Sequence, residues 1–261
     1  MVVDGTNLSP MGCIMGLVLR LYNLMLVVES TVVIADLHLG FSVVGYSLPR
    51  GILAKMLKNE ALAILSYLDG LPEYIDRIII LGDVKEAIGV SRGIQRRQIE
   101  FFFKKLIRRF SQIVVVRGNH DGRLSEALSG FGSVEIVDFF LDKFGGVNIL
   151  MAHGHKRVPS SLFGDADIIF IGHIHPAISE LSTKLWVISR IECRNPEGSY
   201  GWKKQVIVFP SANPKIVGTD VEAGSLVEFL ERVLPRSACK IRLVDLDLRS
   251  CEGIMSLCYE L

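Results

Sequence analysis

The sequence predicts an α/β fold whose first sheet is largely parallel, and three observations support this prediction. Five short segments consist of consecutive apolar residues, a pattern typical of strands that are buried on both faces. Two segments with helical periodicity separate the first three of them, and each of the five ends in a loop with polar side chains. The five segments are TVVIA (31–35), RIIIL (77–81), QIVVVR (112–117), VNILMA (147–152) and ADIIFI (166–171).

The two intervening segments are predicted to be amphipathic helices. Apolar residues within 53–68 and within 99–110 recur with a period close to that of a helix, so they line one face of each segment. A helix between two strands is the usual crossover connection of a parallel pair. The first three strands are therefore expected to be parallel neighbours.

Turn-forming residues are more frequent in the second half of the chain. The predicted elements there are strands at 185–189, 205–210 and 239–248, a long hairpin loop at 190–202 and a helix around 226–233. No repeat or linker divides the chain. We therefore predict an N-terminal tail at 1–23 and a single domain at 24–261, which begins with a strand at 24–28.

Composition excludes several classes of protein. Of the 261 residues, 49% are hydrophobic, which provides a sizeable core, and the 29 Lys and Arg nearly balance the 28 Asp and Glu. The five cysteines form no CxxC pair, which argues against a disulfide framework or a zinc ribbon and favours a reducing cytoplasm. The apolar stretch 11–28 contains Arg20 and Asn23, so no stable membrane association is expected.

The loops after the five apolar segments contain residues of the types that bind metals. All six histidines of the chain lie in these loops, whereas histidines without a shared role would be scattered. In open α/β sheets, ligands bind at the carboxyl edge of the strands, which is where these loops begin. The loops read DLH (36–38), GD (82–83), GNHD (118–121), HGH (153–155) and GHIHP (172–176).

The donor types indicate which metals such a site would bind. Imidazole nitrogens combined with carboxylate and amide oxygens, without thiolates, suit manganese, iron or zinc, and we expect manganese. The loops offer more donors than one ion uses, so two divalent ions are predicted. Asp83 follows a glycine that leaves room for close approach, and it is the natural bridge between them.

These motifs, in this order over residues 36–176, resemble those of the calcineurin-like metallophosphoesterases. The forms ADLHLG, GDVK and FPSANPKIVGTD resemble a subgroup of small prokaryotic phosphoesterases related to the SbcD-type nuclease subunit of double-strand-break repair. The resemblance implies two stacked mixed β-sheets flanked by helices, an αββα sandwich. It also implies a metal-dependent phosphodiesterase with a DNA helicase or ligase as a partner.

The resemblance further implies roles for individual residues. The implied metal ligands are Asp36, His38 and His175 for the first ion, Asn119, His153 and His173 for the second, and Asp83 for both. His120 would protonate the leaving group, and Asp121 would orient His120. Glu86 stands where many relatives have Asp, and it would accept a hydrogen bond outside the ligand shell.

The predicted substrate is a phosphodiester of DNA, RNA or a nucleotide. Lys156 and Arg157 follow the HGH motif directly and are predicted substrate contacts, together with His155. His155 could equally support a metal ligand or be an ordinary loop residue. The basic face of the 96–110 segment, which carries Phe101, is either an ordinary solvated face or a stacking surface for a base, and the cations of 190–204 would form the rim of a nucleic-acid groove.

Three alternative functions stay open at this point. The first is a phosphomonoesterase, and the second is a pyrophosphatase that acts on a nucleotide-sugar lipid. The third is a non-catalytic interaction scaffold, which usually loses ligands or the acid histidine, whereas here every such position is filled. The sequence gives no indication of the oligomeric state.

Overall fold

Two mixed β-sheets stack face to face between layers of helices in the computed structural model. The model describes residues 16–86, 92–194, 199–235, 241–251 and 254–260. The strands are β1 (Gly16–Tyr22), β2 (Met25–Val28), β3 (Thr31–Ala35), β4 (Arg77–Leu81), β5 (Gln112–Val116), β6 (Val134–Val137), β7 (Phe139–Phe144), β8 (Val147–Ala152), β9 (Ile168–Ile171), β10 (Pro176–Ile178), β11 (Thr183–Arg194), β12 (Tyr200–Val208), β13 (Thr219–Asp220), β14 (Ile241–Ser250) and β15 (Ile254–Glu260). The helices are α1 (Arg50–Asp69), α2 (Arg92–Arg109), α3 (Leu124–Leu128), α4 (Ser160–Asp165) and α5 (Ala223–Val233).

Each sheet contains a run of parallel strands. The first sheet has the order β15-β1-β2-β3-β4-β5-β6, and β3 to β6 are parallel to one another. The second has the order β13-β10-β11-β12-β9-β8-β7, with β14 also paired to β11. In it β8, β9 and β12 are parallel. The predicted parallel start and the predicted pair of stacked mixed sheets are both confirmed.

Three apolar layers hold the sandwich together. The middle layer lies between the sheets and joins side chains such as Val33 and Ile79 of the first to Phe170 and Ile207 of the second. The first sheet packs its other face on α1 and α2, and the second packs on α4 and α5. Because the parallel strands are covered on both faces, their sequences are continuously apolar. No helix in the described ranges has the length and apolarity needed to cross a bilayer.

Local patterns predicted several elements well and two regions poorly. Residues 16–22 were assigned to the tail, but they form β1, which pairs with β2 and β15 and buries Leu17, Leu19 and Leu21. The predicted hairpin loop at 190–202 is also wrong for most of its length. There β11 continues to Arg194 and β12 starts at Tyr200, and 195–198 lie outside the described residues. Residues 1–15 lie outside them too, and the single domain at 24–261 stays a prediction.

The carboxyl ends of the parallel strands of both sheets meet at one edge of the sandwich. Hydrogen bonds between the strand-end loops fix this edge: Asp36 N donates to Gly82 O at 3.2 Å and His38 N to Asp83 O at 2.7 Å within the first sheet, and His173 N donates to Asp36 Oδ2 at 2.9 Å between the two sheets. The loops after β3, β4, β5, β8 and β9 therefore converge on one place. These are the five loops that contain the predicted metal ligands.

Candidate metal centre

Two groups of donor atoms lie side by side at this edge. In the first, Asp36 Oδ1 lies 3.2 Å from His175 Nε2, and His38 Nε2 lies 3.3 Å from the same nitrogen. In the second, His153 Nε2 lies 3.3 Å from Asp83 Oδ2, and His173 offers a further nitrogen within 4.8 Å of both. Each group thus combines carboxylate oxygen with imidazole nitrogen.

The two groups share a boundary. Asp36 Oδ1 lies 3.0 Å from His153 Nε2, and Asp83 Oδ2 lies 3.7 Å from His38 Nε2. Asp83 therefore faces both groups, which is the position required of a bridging carboxylate. Asn119 is exposed and lies between Gly118 and His120, whose N–H donates to Asp83 Oδ1 at 2.8 Å. The role of Asn119 as a metal ligand stays a prediction.

The backbone at the donors is strained in a way that indicates function. Asp36, His38, Asp83, His173 and His175 all have positive φ, between 40° and 78°. Non-glycine residues rarely adopt this left-handed conformation, and each instance costs about 1–3 kcal/mol. A run of such residues at the ends of buried strands is explained if their side chains must point at a common centre.

Glycines let the loops approach the donors closely. A Cβ at Gly118 would lie 2.1 Å from Asp83 Oδ1, and one at Gly82 would lie 2.4 Å from the His153 ring. Real Cβ atoms do not come that close to other atoms. Both positions must therefore lack a side chain for Asp83 and His153 to meet.

Attraction between histidines and carboxylates determines the pKa values in the second donor group and where it contacts the first. Burial favours neutral forms, but the hydrogen bonds of His153 with Asp36 and Asp83 outweigh it and raise the pKa of His153 to about 10. Burial likewise opposes ionisation of both carboxyls, yet neighbouring histidines hold the pKa values of Asp36 and Asp83 below their usual range. Without a metal, the His153 imidazolium therefore supplies the positive charge between the two carboxylates.

His155 supports His153 from behind. The Nδ1 atoms of the two rings lie 2.9 Å apart, on the side of His153 that faces away from the carboxylates. Burial and the charge on His153 lower the pKa of His155 to about 4, so His155 is the neutral acceptor and His153 the donor. Among the alternatives left open by the sequence, this geometry favours a support for the predicted ligand. A hydrogen bond of this kind fixes ring orientation and tautomer.

Glu86 orients His120, the contact that sequence analysis assigned to Asp121. Glu86 Oε1 lies 3.1 Å from His120 Nδ1, and Oε2 lies 3.2 Å from His38 Nδ1. The buried Asp121 carboxylate instead accepts hydrogen bonds from Val84 N and Gly118 N, both at 2.9 Å. The predicted role of Asp121 is thus corrected, because both its oxygens hold the backbone of neighbouring loops.

The two predicted substrate cations have different surroundings. Lys156 Nζ is half-exposed and lies 3.0 Å from Asp138 Oδ1, and Arg117 approaches the same oxygen at 3.8 Å. Arg157 points away, since it donates to the carbonyls of Glu231 and Leu234 at the end of α5. Arg157 therefore ties the HGH loop to α5, and the prediction of a substrate contact is corrected for this residue.

Three residues of the other predicted nucleic-acid surfaces have structural contacts. Phe101 packs between α1 and α2 beneath Lys58, so it is not an exposed stacking surface. Arg109 donates to the carbonyls of Ile75 and Pro72, and buried Lys204 to that of Ala166. Arg109 and Lys204 therefore satisfy backbone acceptors.

Sequence reasoning missed the residues that hold the ligand loops in place. Buried Asn213 donates to Leu37 O at 2.9 Å, and Ser211 Oγ donates to Asp36 O at 2.7 Å. The ring of Phe229, on α5, stacks on His173 with centroids 6.3 Å apart. The signal for these residues was the FPSANPK segment, but the acceptors Leu37 O and Asp36 O lie 176 and 175 positions away along the chain.

The donor set fits divalent metal ions. Imidazole nitrogens of His38 and His175 face each other beside a carboxylate, an arrangement that a cation between them would satisfy. The second group has the same composition and lies against the first. His120 also comes within 4.8 Å of His38 and Asp83, so geometry alone does not separate its role from that of a ligand.

Comparison with known proteins identifies the family. Residues 30–194 match the model of the calcineurin-like phosphoesterase superfamily domain, which is more than half of the chain. The chain therefore belongs to the calcineurin-like phosphoesterase superfamily. No curated protein gives a significant match.

Several solved structures are similar to the chain. A nuclease from Pseudomonas putida shares 19% identity at a TM-score of 0.48, with 78% of this chain and 86% of that chain covered. An archaeal phosphodiesterase shares 15% identity at a TM-score of 0.38, with coverages of 82% and 98%. Yfce, a phosphoesterase from E. coli, shares 16% identity at 0.37, with coverages of 74% and 82%.

Proposed function

We propose that the protein is a phosphodiesterase that uses two divalent metal ions, with manganese as the expected metal and iron or zinc as alternatives. The observation that carries the proposal is the pair of donor groups that meet at Asp83 and at the 3.0 Å contact between Asp36 and His153. The first ion would be held by Asp36, His38 and His175, and the second by Asn119, His153 and His173. Asp83 would be shared.

Bound divalent ions at such a site activate water as a nucleophile and neutralise the charge of the phosphoryl group. The protein's own contribution is the proton for the leaving oxygen. With His120 Nδ1 directed at Glu86, Nε2 is the atom that would carry this proton. The His120 side chain is 24% exposed, whereas that of His153 is fully buried, so His120 can meet a substrate.

The rim of the site favours a substrate that extends beyond one phosphate. Lys156 and Arg117 flank the site on the side of His153 and His155, and both are partly exposed. A DNA or RNA strand would meet these cations with its neighbouring phosphates, in a salt-dependent way. We therefore propose a nuclease-like activity on nucleic acids or nucleotides. A DNA helicase or ligase partner stays a prediction.

The decisive experiment separates His120 from the metal ligands. The His120→Asn variant should retain both ions and lose about 10²–10⁴-fold in rate on a dinucleotide, whose alkoxide leaving group needs a proton. It should lose much less on an aryl phosphodiester, whose leaving group is stable as an anion. Metal content is measured in the same preparations.

Four outcomes would contradict parts of the proposal. Loss of metal in His120→Asn would make that residue a ligand, and equal rate losses on both esters would exclude its role as a proton donor. One bound ion per chain, unchanged in Asp83→Ala, would exclude the two-metal site. Faster hydrolysis of an aryl monoester than of the matching diester would favour a phosphomonoesterase.

A further inference from the structure

A cavity of about 730 Å³ is lined in part by the loop that follows His38 of the first donor group. Its walls come from the loop after β3, from α1 and from the segment after β12. The side chains on these walls that matter for recognition are Phe41, Tyr46, Met56, Asn59 and Lys215. The volume is typical of a site for a small molecule or for one building block of a larger substrate.

Two walls of the cavity are fastened to the loop of His38. Phe41 N donates to His38 O at 3.0 Å, so the aromatic ring follows the predicted ligand by one tight turn. On the opposite wall, Lys215 N donates to Asn213 Oδ1 at 3.0 Å, and Asn213 Nδ2 donates to Leu37 O at 2.9 Å. The cavity and the predicted ligand His38 are therefore held by the same loop.

The side chains of the cavity suit a planar heterocycle. Tyr46 is 61% exposed and Phe41 is 38% exposed, and both line this one cavity. Aromatic faces stack on any nucleobase. The exposed Asn59 amide offers both a donor and an acceptor to a base edge, and exposed Lys215 offers a cation to a phosphate.

We propose that this cavity is a base subsite, which holds the nucleobase next to the phosphate that is cleaved. The inference rests on the proposed phosphodiesterase function and narrows its substrate class to nucleotide phosphodiesters. Stacking on Tyr46 and Phe41 provides the affinity. Because every base can stack on an aromatic ring, the subsite distinguishes a substrate with a base from one without, but it discriminates little between different bases.

The test compares two esters with the same leaving group. Thymidine 5′-(p-nitrophenyl phosphate) carries a base, and methyl p-nitrophenyl phosphate does not. The parent should favour the nucleoside ester in kcat/KM, and Tyr46→Ala should lower that preference about tenfold while the methyl ester is hydrolysed as before. The control is Tyr74→Ala, because Tyr74 is similarly exposed, at 57%, but lies before β4, at the opposite edge of the sheet.

A binding measurement tests the subsite without catalysis. Calorimetry should show that the parent binds thymidine 5′-monophosphate more tightly than 2-deoxyribose 5-phosphate, and that Tyr46→Ala removes the difference. The proposed subsite would be refuted if the parent bound the two compounds with equal affinity. It would also be refuted if neither Tyr46→Ala nor Phe41→Ala changed the preference for the compound with the base. Hydrolysis of neither ester would instead refute the proposed function, and calorimetry would still decide whether a base binds.

Discussion

Glu86 Oε1 lies 3.1 Å from His120 Nδ1, and the other oxygen of the same carboxylate lies 3.2 Å from His38 Nδ1. One buried carboxylate thus orients a predicted metal ligand and the predicted proton donor together. Asp121 contributes to the same region differently, because its two oxygens accept backbone N–H groups of two loops. The two acidic residues should therefore have separable effects on catalysis and on stability.

The Glu86→Gln variant tests the first role. An amide keeps the size of the side chain but is a weaker acceptor, and it must present its NH₂ group to one of the two histidines. We expect a loss of about 10–100-fold in kcat/KM, as is usual when the partner of a ligand is changed. The loss should be larger on a dinucleotide than on an aryl diester, because His120 is misoriented. Equal losses on both esters would contradict this role.

The Asp121→Asn variant serves as the matched comparison. Its amide group would face a backbone N–H, which leaves a buried donor without its acceptor and costs about 1–3 kcal/mol of stability. We expect a lower Tm and an unchanged ratio of rates on the two esters. If the ratio of rates on the two esters changed while the Tm did not, Asp121 would be a residue that orients His120.

Replacement of Gly118 should destroy the site from the backbone side. An alanine Cβ would lie 2.1 Å from Asp83 Oδ1 and 2.2 Å from Asp83 N, and the second of these is a backbone atom that no side-chain rotation can move away. We expect Gly118→Ala to displace Asp83, to lose bound metal and to lower the Tm. Metal analysis and circular dichroism of the purified variant measure both effects.

The same loop offers the control for this change. A Cβ at Gly122 would meet no atom within 4 Å, so Gly122→Ala should keep the metal content and activity of the parent. Similar behaviour of the two variants would show that close approach to Asp83 is not what requires a glycine at 118.

Removal of metal should make stability depend on pH. The folded-state pKa of His153 is raised to about 10 from its usual value of 6.5, because Asp36 and Asp83 stabilise the imidazolium. The resulting stabilisation is fully present below about pH 6.5 and is lost as the pH rises through about 10. Chelated protein should therefore lose stability between pH 7 and 10, by at most about 1.4 kcal/mol per pH unit for one proton.

Bound metal should reduce this dependence, since a cation replaces the proton between the carboxylates and its binding strengthens as His153 deprotonates. Thermal unfolding from pH 6 to 9.5, with chelator and with manganese, measures the difference. Parallel curves under the two conditions would show that His153 does not exchange a proton for metal.

The parts of this fold that follow from local sequence were predictable. The bounds of β3, β4 and β8 match the apolar segments, because strands covered on both faces consist of consecutive apolar residues that end at polar loops. In contrast, β1 alternates between buried and half-buried residues, and it pairs with β15 near the other end of the chain. No local pattern encodes that pairing.

The same distinction applies to the site. The motifs identified the residues that the structure brings together in two donor groups, since the carboxyl ends of the strands dictate where they lie. They did not indicate which carboxylate contacts His120, because Asp121 is its neighbour in the sequence, whereas Glu86 is 34 positions away and only tertiary packing brings it into contact. Nor did they reveal Asn213, whose partner Leu37 is 176 positions away along the chain.

Glu60 provides the last prediction, because it links the loop of His38 to the rest of the domain. It is buried, and four groups donate to its two oxygens: Gly40 N at 2.7 Å, Ser42 N at 2.8 Å, Gln98 Nε2 at 2.7 Å and Asn213 Nδ2 at 3.3 Å.

In Glu60→Gln the amide NH₂ must face donors, so about 1–3 kcal/mol of stability should be lost. The loop of His38 should also be less well fixed, and bound metal should be released at lower chelator concentration. Glu100→Gln is the control, because the carboxylate of Glu100 forms an ion pair with Arg96 on the surface of the protein. Thermal unfolding and chelator titration of the parent, Glu60→Gln and Glu100→Gln measure both effects. A Glu60→Gln variant with the Tm and metal retention of the parent would show that this buried carboxylate does not position the loop.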